Sequence, residues 1–218
     1  MSTFDPDSAA LLPRAFFARS TALVARELLG KVLVTRVGDA LCAGAIVETE
    51  AYLGADDPGS HAATKGVTAR NRVMYGPPGH AYVYFTYGNH HMLNLVTEAN
   101  GVAGAVLVRA VRPIAGVEAM EARRGRAGVD LTNGPGKVAQ AFGVDLGLNG
   151  VELGQTVAVY DAPGCDGASV GSSGRIGLSA GHELPLRYFI KREAYVSRGR
   201  TGPRGGARQR AARNGERT

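Results

Sequence analysis

Two glutamates and a tyrosine alternate within one short segment, Glu48-Thr49-Glu50-Ala51-Tyr52. On a regular strand, residues two apart share a face, so Glu48, Glu50 and Tyr52 would project together with the carboxylates roughly 7 Å apart. Two like charges this close disfavour joint burial, which raises one pKa if both enter a pocket. Such a pair could do acid or base chemistry, whereas an exposed pair is only a solvated strand face. The apolar run Ala45-Ile46-Val47 that leads into the segment favours the pocket.

Tyrosines dominate a second segment, Tyr82-Val83-Tyr84-Phe85-Thr86-Tyr87-Gly88. Strand alternation places Tyr82 and Tyr84 on one face, where they could stack on a flat ligand or simply pack as core residues. Tyr87 lies on the other face, beside a predicted tight turn at Gly88-Asn89 where burial is difficult. An exposed, rigid ring at such an apex resembles the wedges that minor-groove proteins insert between bases.

Basic residues near these segments could contact phosphate groups, although each alone is more often a solvated charge. Arg70 and Arg72 precede the tyrosine segment, and Lys137 follows Gly134 at the start of a predicted helix. That helix start lacks the first glycine and the spacing of a P-loop, so nucleotide binding is not indicated. Its exposed amides could still hold one phosphate of DNA. A further basic group consists of Arg123, Arg124 and Arg126.

Histidines and cysteines do not indicate a metal site. His61 is isolated in a loop, and a lone histidine is most often structural. His90-His91 are the best metal candidates, but neighbours on a strand point to opposite faces and cannot chelate one ion without a bulge. Cys42 and Cys165 lie far apart and belong to no zinc-ligand pattern. We therefore expect no metal, no cofactor, no disulfide framework and a reducing environment.

The basic charge of this 218-residue chain is concentrated at its end. The net charge is +6 and the isoelectric point is about 9.6, but residues 198–218 contain seven arginines and one acid. Without them, 18 basic residues face 18 acidic ones, so overall charge says nothing about the function of the body. We predict a disordered Arg/Gly-rich tail at 198–218, either an electrostatic tether to nucleic acid or an inert terminus. The chain begins without a signal-like segment and has no run long enough to span a membrane, which predicts a cytoplasmic, nucleoid-associated protein.

Pattern and turn signals predict a mixture of helices and strands around these groups. Gly88-Asn89 should connect a hairpin, and the long Gly- and Pro-rich stretch 53–79 should be a functional loop. The predicted strands are 31–37, 43–52, 81–87, 90–97, 102–111, 155–160 and 187–190, and the predicted helices are 21–29, 116–126 and one that starts at Pro135.

Several distinctive segments, taken in order, are similar to the alkyladenine (3-methyladenine or methylpurine) DNA glycosylase family. The similarity covers about residues 11–197, although this chain has two more residues between Asn94 and Arg109 than the vertebrate pattern. The segments that carry it are Glu48 to Gly54, Asp57 to His61, Arg70-Asn71-Arg72, Tyr82-Val83-Tyr84 with Tyr87-Gly88, Asn94, Leu107 to Ala110, and Asn133 to Lys137.

This resemblance implies a single mixed α+β domain, residues 1–197, around a curved and largely antiparallel sheet whose β-hairpin enters the minor groove of DNA. It also implies roles for individual residues. Glu50 would be the general base that activates water, and Arg109 would help to hold that water. Walls that stack on the extruded base would be Tyr52, His61 and Tyr84, with Tyr82 as support; Asn94 would disfavour guanine, and Tyr87 would fill the gap left in the DNA.

The implied activity is that of a monofunctional glycosylase, which removes alkylated purines from double-stranded DNA and leaves an abasic site. Alkylation at N3 or N7 makes a purine cationic, so electron-rich rings favour it and it leaves readily. We expect a monomer without a membrane partner. Neutral lesions such as hypoxanthine or ethenoadenine would need a proton donor that the residues do not identify. A non-catalytic lesion sensor and a carboxylate-pair sugar hydrolase remain alternatives.

Overall fold

In the computed structural model, one eight-stranded sheet carries most of the polar segments. The structure describes residues 8–60, 62–63, 66–86, 88–162 and 167–199. The strand order is β3-β4-β5-β2-β1-β6, with β8 paired to β2 and β7 paired to β8, and every pairing is antiparallel. The strands are β1 (Val32–Val37), β2 (Ala40–Tyr52), β3 (Ala81–Thr86), β4 (His90–Val96), β5 (Ala105–Ala115), β6 (Val157–Tyr160), β7 (Val170–Ser173) and β8 (Arg187–Ile190).

Four helices accompany the sheet in the described part of the chain, together with short 3-10 turns. The expected single α+β domain with a curled antiparallel sheet is therefore confirmed. The helices are α1 (Arg14–Phe17), α2 (Thr21–Glu27), α3 (Val117–Arg124) and α4 (Pro135–Ala141). No helix in these ranges is long and apolar enough to cross a membrane.

The main core lies where α2 and α4 cover the sheet. Fully buried apolar side chains from both helices, such as Val24 and Val138, pack with strand residues such as Ile46 and Leu95. A smaller cluster includes Met74, Tyr82 and Val96, with Tyr52 and Tyr84 packed against it. Because each fully buried large apolar side chain contributes about 1.5–3 kcal/mol, the main core keeps the sheet rigid under the polar segments.

The predicted hairpin of β3 and β4 is present. Tyr84 pairs with Met92 and Thr86 with His90 in its register. Gly88 has a φ of 73°, which a residue with a side chain rarely adopts, and this explains the glycine in the turn. Tyr87, the predicted wedge, lies outside the described residues.

Strand boundaries differ from the predicted ones in β5 and β7. The strand β5 was predicted at 102–111, but it begins only at Ala105 and continues to Ala115. Pro113 is accommodated because β4 pairs only with residues 105–107, so this part of β5 lacks a neighbour on that side. Strand β7 was not predicted, because its sequence Val-Gly-Ser-Ser has little β propensity.

Candidate active site

A cavity of about 440 Å³ opens between the hairpin, the end of β2 and the start of α4. A volume of this size is typical of small-molecule sites. Its walls combine rings, backbone and a few polar side chains, including Tyr52, Tyr82, Tyr84, Asn94, Arg109, Gly134, Lys137 and Ile176. Seven residues singled out in the sequence thus line one cavity, although they come from five separate segments.

Glu50 lies next to this cavity and has no solvent exposure. Its Oε1 accepts a hydrogen bond from the backbone N–H of Ile176 at 2.7 Å, and its Oε2 accepts one from the hydroxyl of Tyr52 at 2.9 Å. Arg109 Nη1 lies 3.1 Å from the same Oε2. All three of these residues line the cavity, so the carboxylate is buried directly behind the cavity wall. The interpretation of Glu48 and Glu50 as a solvated strand face is therefore wrong.

Arg109 reaches both glutamates because the β2–β5 pairing is irregular at this point. Glu48 pairs with Ala110 and Thr49 with Val108, so Arg109 is the extra residue of a bulge. A bulge re-aims a side chain that regular pairing would direct elsewhere. Burial lowers the pKa of the Arg109 guanidinium, but the charges of Glu50 and Glu48 outweigh this and raise it, so Arg109 stays cationic.

Glu48 is also fully buried, but protein donors surround it. Its Oε1 accepts from Arg109 Nε at 2.9 Å, from Arg187 Nε at 2.6 Å and from the hydroxyl of Ser197 at 2.8 Å. Its Oε2 accepts from the Ser197 N–H at 2.7 Å. Burial raises the pKa of this carboxyl, yet Arg109 and Arg187 more than reverse that effect and hold the pKa below its ordinary value. Glu48 therefore anchors Arg109.

The tyrosines predicted as ring walls form a continuous aromatic surface. Tyr82 is 1% exposed and its ring centre lies 5.4 Å from that of Tyr84, which is partly exposed. Burial raises the pKa of Tyr82 to about 12, so its hydroxyl stays neutral. Tyr52 is partly exposed, and its hydroxyl donates to Glu50. Tyr82 lies against the ring of Tyr84, and Tyr84 and Tyr52 both line the cavity.

Asn94 lies at the back of the cavity and is 2% exposed. Its side-chain amide donates to the backbone oxygens of Tyr82 at 3.0 Å and Met92 at 3.4 Å. Because both bonds tie it to the hairpin, Asn94 is a rigid part of the wall rather than an adaptable polar contact.

Arg70, predicted to contact phosphate, makes two contacts within the protein. Its Nη2 donates to the backbone oxygen of Phe85 at 2.7 Å, and its guanidinium lies 5.1 Å from the centre of the Tyr84 ring. Arg70 therefore braces the hairpin behind Tyr84. Arg72 is exposed at the start of a 3-10 turn.

The start of α4 forms the opposite rim of the cavity. Gly134 precedes the helix, and Lys137 Nζ donates to Asn133 Oδ1 at 2.9 Å and to the carboxylate of Asp130. Of the further basic group, Arg123 is engaged inside the protein, where it donates to the backbone oxygens of Ala141 and Val37. Arg124 lines the cavity, whereas Arg126 is exposed.

His61, the third predicted ring wall, lies outside the described residues. His90 lines the cavity, and the ring of His91 packs instead against Phe85, with centres 5.0 Å apart. The two neighbouring histidines thus have different environments, as strand alternation predicts.

Sequence reasoning missed three residues that hold the carboxylates: Ile176, Arg187 and Ser197. Ile176 acts through its backbone N–H, which no side-chain pattern can reveal. Arg187 was within a predicted strand, and its pairing with Glu50 across β2 and β8 was not foreseeable without the sheet order. A lone arginine in an otherwise apolar strand was the only available signal.

Comparison with known proteins identifies the family of the chain. The methylpurine-DNA glycosylase (MPG) family matches residues 15–194. A protein of Koribacter versatilis is 48% identical over 193 residues, which is 85% of this chain and 92% of that protein. A protein of Chlorobaculum parvum is 46% identical over 86% of this chain and 90% of its own length, and one of Carboxydothermus hydrogenoformans is 46% identical over 86% and 99%. All three are named "Putative 3-methyladenine DNA glycosylase".

The fold and the matched region define the class of the protein as a hydrolase of N-glycosyl bonds. The chain belongs to the methylpurine-DNA glycosylase family, and the similarity predicted from its motifs is confirmed. Its function as a DNA glycosylase in DNA repair follows from that membership.

Proposed function

We propose that this protein is a monofunctional glycosylase that rotates alkylated purines out of double-stranded DNA and hydrolyses the N-glycosidic bond. Its substrates would be 3-methyladenine and 7-methylguanine, with hypoxanthine and ethenoadenine as further candidates. The observation that carries the proposal is the position of Glu50, a buried carboxylate that accepts hydrogen bonds from Tyr52 and Ile176 and forms an ion pair with Arg109. All three of these residues line a ring-walled cavity.

Glu50 would act as the general base. As the bond to the purine lengthens, C1′ of the sugar gains oxocarbenium character and becomes open to attack by water. An ionised carboxylate accepts the proton of that water, and general base catalysis of this kind contributes about 10²- to 10⁴-fold. Arg109 supports this role in two ways. Its positive charge stabilises the Glu50 anion, and its side chain lies at the cavity surface where water would be held.

Stacking would hold the extruded purine in the cavity. Tyr52 and Tyr84 line the cavity, Tyr82 lies against the ring of Tyr84, and His61 completes the proposed set. Stacking of a base on an aromatic side chain contributes about 1–3 kcal/mol, which offsets the few kcal/mol that flipping costs. A cationic alkylated purine would gain an additional cation–π attraction to these rings.

Selection against normal bases would depend on the rigid back wall. Asn94 is tied to two backbone oxygens of the hairpin, so it cannot move aside for the 2-amino group of guanine. Tyr87 is proposed to fill the gap in the DNA, and its neighbouring turn at Gly88 supports a position at the hairpin apex.

DNA would be held by both rims of the cavity. We assign phosphate contacts to Arg72, Lys137 and the backbone at Gly134, and assign Arg70 to both the DNA and the hairpin. Lys137 lines the cavity, but Asp130 and Asn133 engage its ammonium group, which favours a charge contact over a nucleophilic role. We propose a monofunctional reaction by one copy of the domain, residues 1–197. Residues 198–218 would be either an electrostatic tether to nucleic acid or an inert terminus.

Duplex DNA that contains one 7-methylguanine tests this function. We expect release of the free base and an abasic site that breaks only on heating, and no protein–DNA adduct after borohydride treatment. A covalent adduct would contradict the monofunctional mechanism. Lesion binding without base release would instead indicate a sensor, and cleavage of simple glycosides alone would indicate a sugar hydrolase.

A further inference from the structure

A buried ion pair between Arg175 and Asp57 lies next to Glu50 and has no part in the chemistry described above. Arg175 has no solvent exposure and Asp57 is 2% exposed. Each terminal nitrogen of the guanidinium donates to a different carboxylate oxygen, so the pair is bidentate. Burial raises the pKa of Asp57, but its bonds with Arg175 outweigh this and hold the pKa below its ordinary value.

This pair ties together three separate pieces of chain. Arg175 Nη1 also donates to the backbone oxygen of Ala51 in β2 at 2.8 Å, and Nη2 donates to that of Gly181 at 3.1 Å. Asp57 accepts from the backbone N–H groups of Leu53 at 3.0 Å and Gly59 at 2.9 Å. One guanidinium therefore joins the end of β2 to the loop that follows it and to the loop after β7.

Both hydrogen-bond donors to Glu50 in the described structure lie next to the same arginine. The guanidinium of Arg175 lies 4.8 Å from the centre of the Tyr52 ring, and the hydroxyl of Tyr52 donates to Glu50. The residue next to Arg175 is Ile176, whose N–H is the second donor. Arg175 does not line the cavity, whereas Tyr52 and Ile176 do, so it stands behind both.

We infer that Arg175, clamped by Asp57, is a positioning residue that keeps the Tyr52 hydroxyl and the Ile176 amide directed at Glu50. The inference rests on the proposed role of Glu50 and adds a device that sets its geometry. Small displacements at such a site are expensive, since misplacement of a reacting group by 1 Å can cost about 100-fold in rate.

The surroundings of Arg175 leave little room for adjustment. A Cβ atom at Gly59 would lie 2.6 Å from Arg175 Nη2 and 2.6 Å from Leu178 Cδ1, so the two loops are in close contact through that glycine. A lysine at 175 keeps the positive charge, but its single ammonium cannot make four directed bonds and also lie flat on a ring. Arg175→Lys therefore tests the hydrogen bonds of the guanidinium while the positive charge is retained.

The matched control is Arg123→Lys. The guanidinium of Arg123 likewise makes several bonds inside the protein: Nη1 donates to the backbone oxygen of Ala141 at 3.0 Å and Nη2 donates to that of Val37 at 3.2 Å. Neither Arg123 nor these two partners line the cavity. Both substitutions remove a planar guanidinium that bonds to backbone oxygens, so both should lower thermal stability.

Single-turnover excision of 7-methylguanine, with enzyme in saturating excess over the duplex, provides the readout because the rate then does not depend on the folded fraction. We expect Arg175→Lys to lose about 100-fold in this rate with little change in the dissociation constant for the lesion duplex. Arg123→Lys should keep the wild-type rate while its melting temperature falls.

A wild-type rate for Arg175→Lys would overturn the inference and leave the pair as a loop anchor, and so would equal rate losses in both variants. Asp57→Asn, which keeps side-chain volume, carries the same test if Arg175→Lys does not fold. Failure of the wild-type protein to excise any lesion would refute the proposed function itself. That outcome is distinguishable, because the wild-type protein is assayed on the same duplex.

Discussion

Glu48 and Glu50 occupy similar positions in the fold but have different surroundings. Both lie on β2, neither is exposed to solvent, and both contact Arg109. Glu48 has four hydrogen-bond donors, two of them from Ser197 and one from Arg187. Glu50 has Tyr52, Arg109 and Ile176, which all line the cavity. Burial alone therefore does not distinguish a structural carboxylate from one available for chemistry.

The two glutamates differ in where their partners lie. All three described partners of Glu50 line the cavity, whereas Arg187 and Ser197, two of the three described partners of Glu48, do not. Among the described residues, Oε1 of Glu48 accepts three hydrogen bonds and Oε2 accepts one. Each oxygen of Glu50 accepts one hydrogen bond, and Oε2 is also paired with Arg109. The difference indicates that Glu48 keeps Arg109 charged and in position. Arg109, Tyr52 and Ile176 in turn hold Glu50 beside the cavity.

Glu50→Gln should give the largest effect. An amide cannot take a proton from water, so the single-turnover excision rate should fall by about 10²- to 10⁴-fold. Lesion binding and melting temperature should change little, because glutamine keeps the side-chain volume. Excision kinetics and a filter or polarisation binding assay measure the two quantities, and a near-wild-type rate would remove Glu50 from its proposed role.

Glu48→Gln should lower the free energy of unfolding more than it lowers the excision rate, which is the opposite of Glu50→Gln. It leaves Arg109 and Arg187 buried without their shared carboxylate, and breaking a buried ion pair from one side costs about 3–5 kcal/mol. Urea unfolding measures this loss directly. If the comparison holds, the rate per folded molecule should fall less than in Glu50→Gln. Equal rate losses in the two variants would contradict the division of roles.

Tyr52→Phe sharpens the comparison at a single donor. Burial and the charge of Glu50 raise the pKa of Tyr52 well above its ordinary value, so the hydroxyl remains protonated and donates to Glu50. A hydrogen bond to a charged group contributes about 1.5–3 kcal/mol, which corresponds to a rate loss of about 10- to 100-fold. Retention of the ring preserves stacking, so affinity for the lesion duplex should stay constant. A loss of affinity equal to the loss of rate would indicate a binding role instead.

Lowering the pH should produce the smallest effect, a gradual difference in melting temperature between the wild type and Glu48→Gln. The folded-state pKa of Glu48 lies below the ordinary 4.5, so its ion cluster stabilises the protein fully above about pH 4.5. That stabilisation disappears as the pH falls through the lowered folded value. Melting temperatures between pH 7 and pH 3 should therefore fall more steeply for the wild type than for Glu48→Gln, and parallel curves would exclude Glu48 as the group responsible.

The sequence predicted which residues meet at this cavity better than it predicted the contacts that hold them in position. Alternation placed Glu48 and Glu50 on one face, and Gly88-Asn89 indicated the hairpin, because both signals are local and depend on strand geometry and turn conformation. The contacts that orient Glu50 are non-local. The bulge at Arg109 depends on the register between β2 and β5, and the Ile176 amide depends on where a Gly-rich loop settles. Neither has a periodic signature, so only the assembled sheet reveals them.

The bonds of Ser197 to Glu48 span 149 residues of the chain. A ribosome releases the amino end first, so β1 to β5 emerge while Glu48 still lacks the partner that completes its shell. The nascent domain therefore cannot finish its polar centre until its final strand and the residues after it have left the exit tunnel. Translation should thus withhold a competent enzyme until Ser197 can reach Glu48.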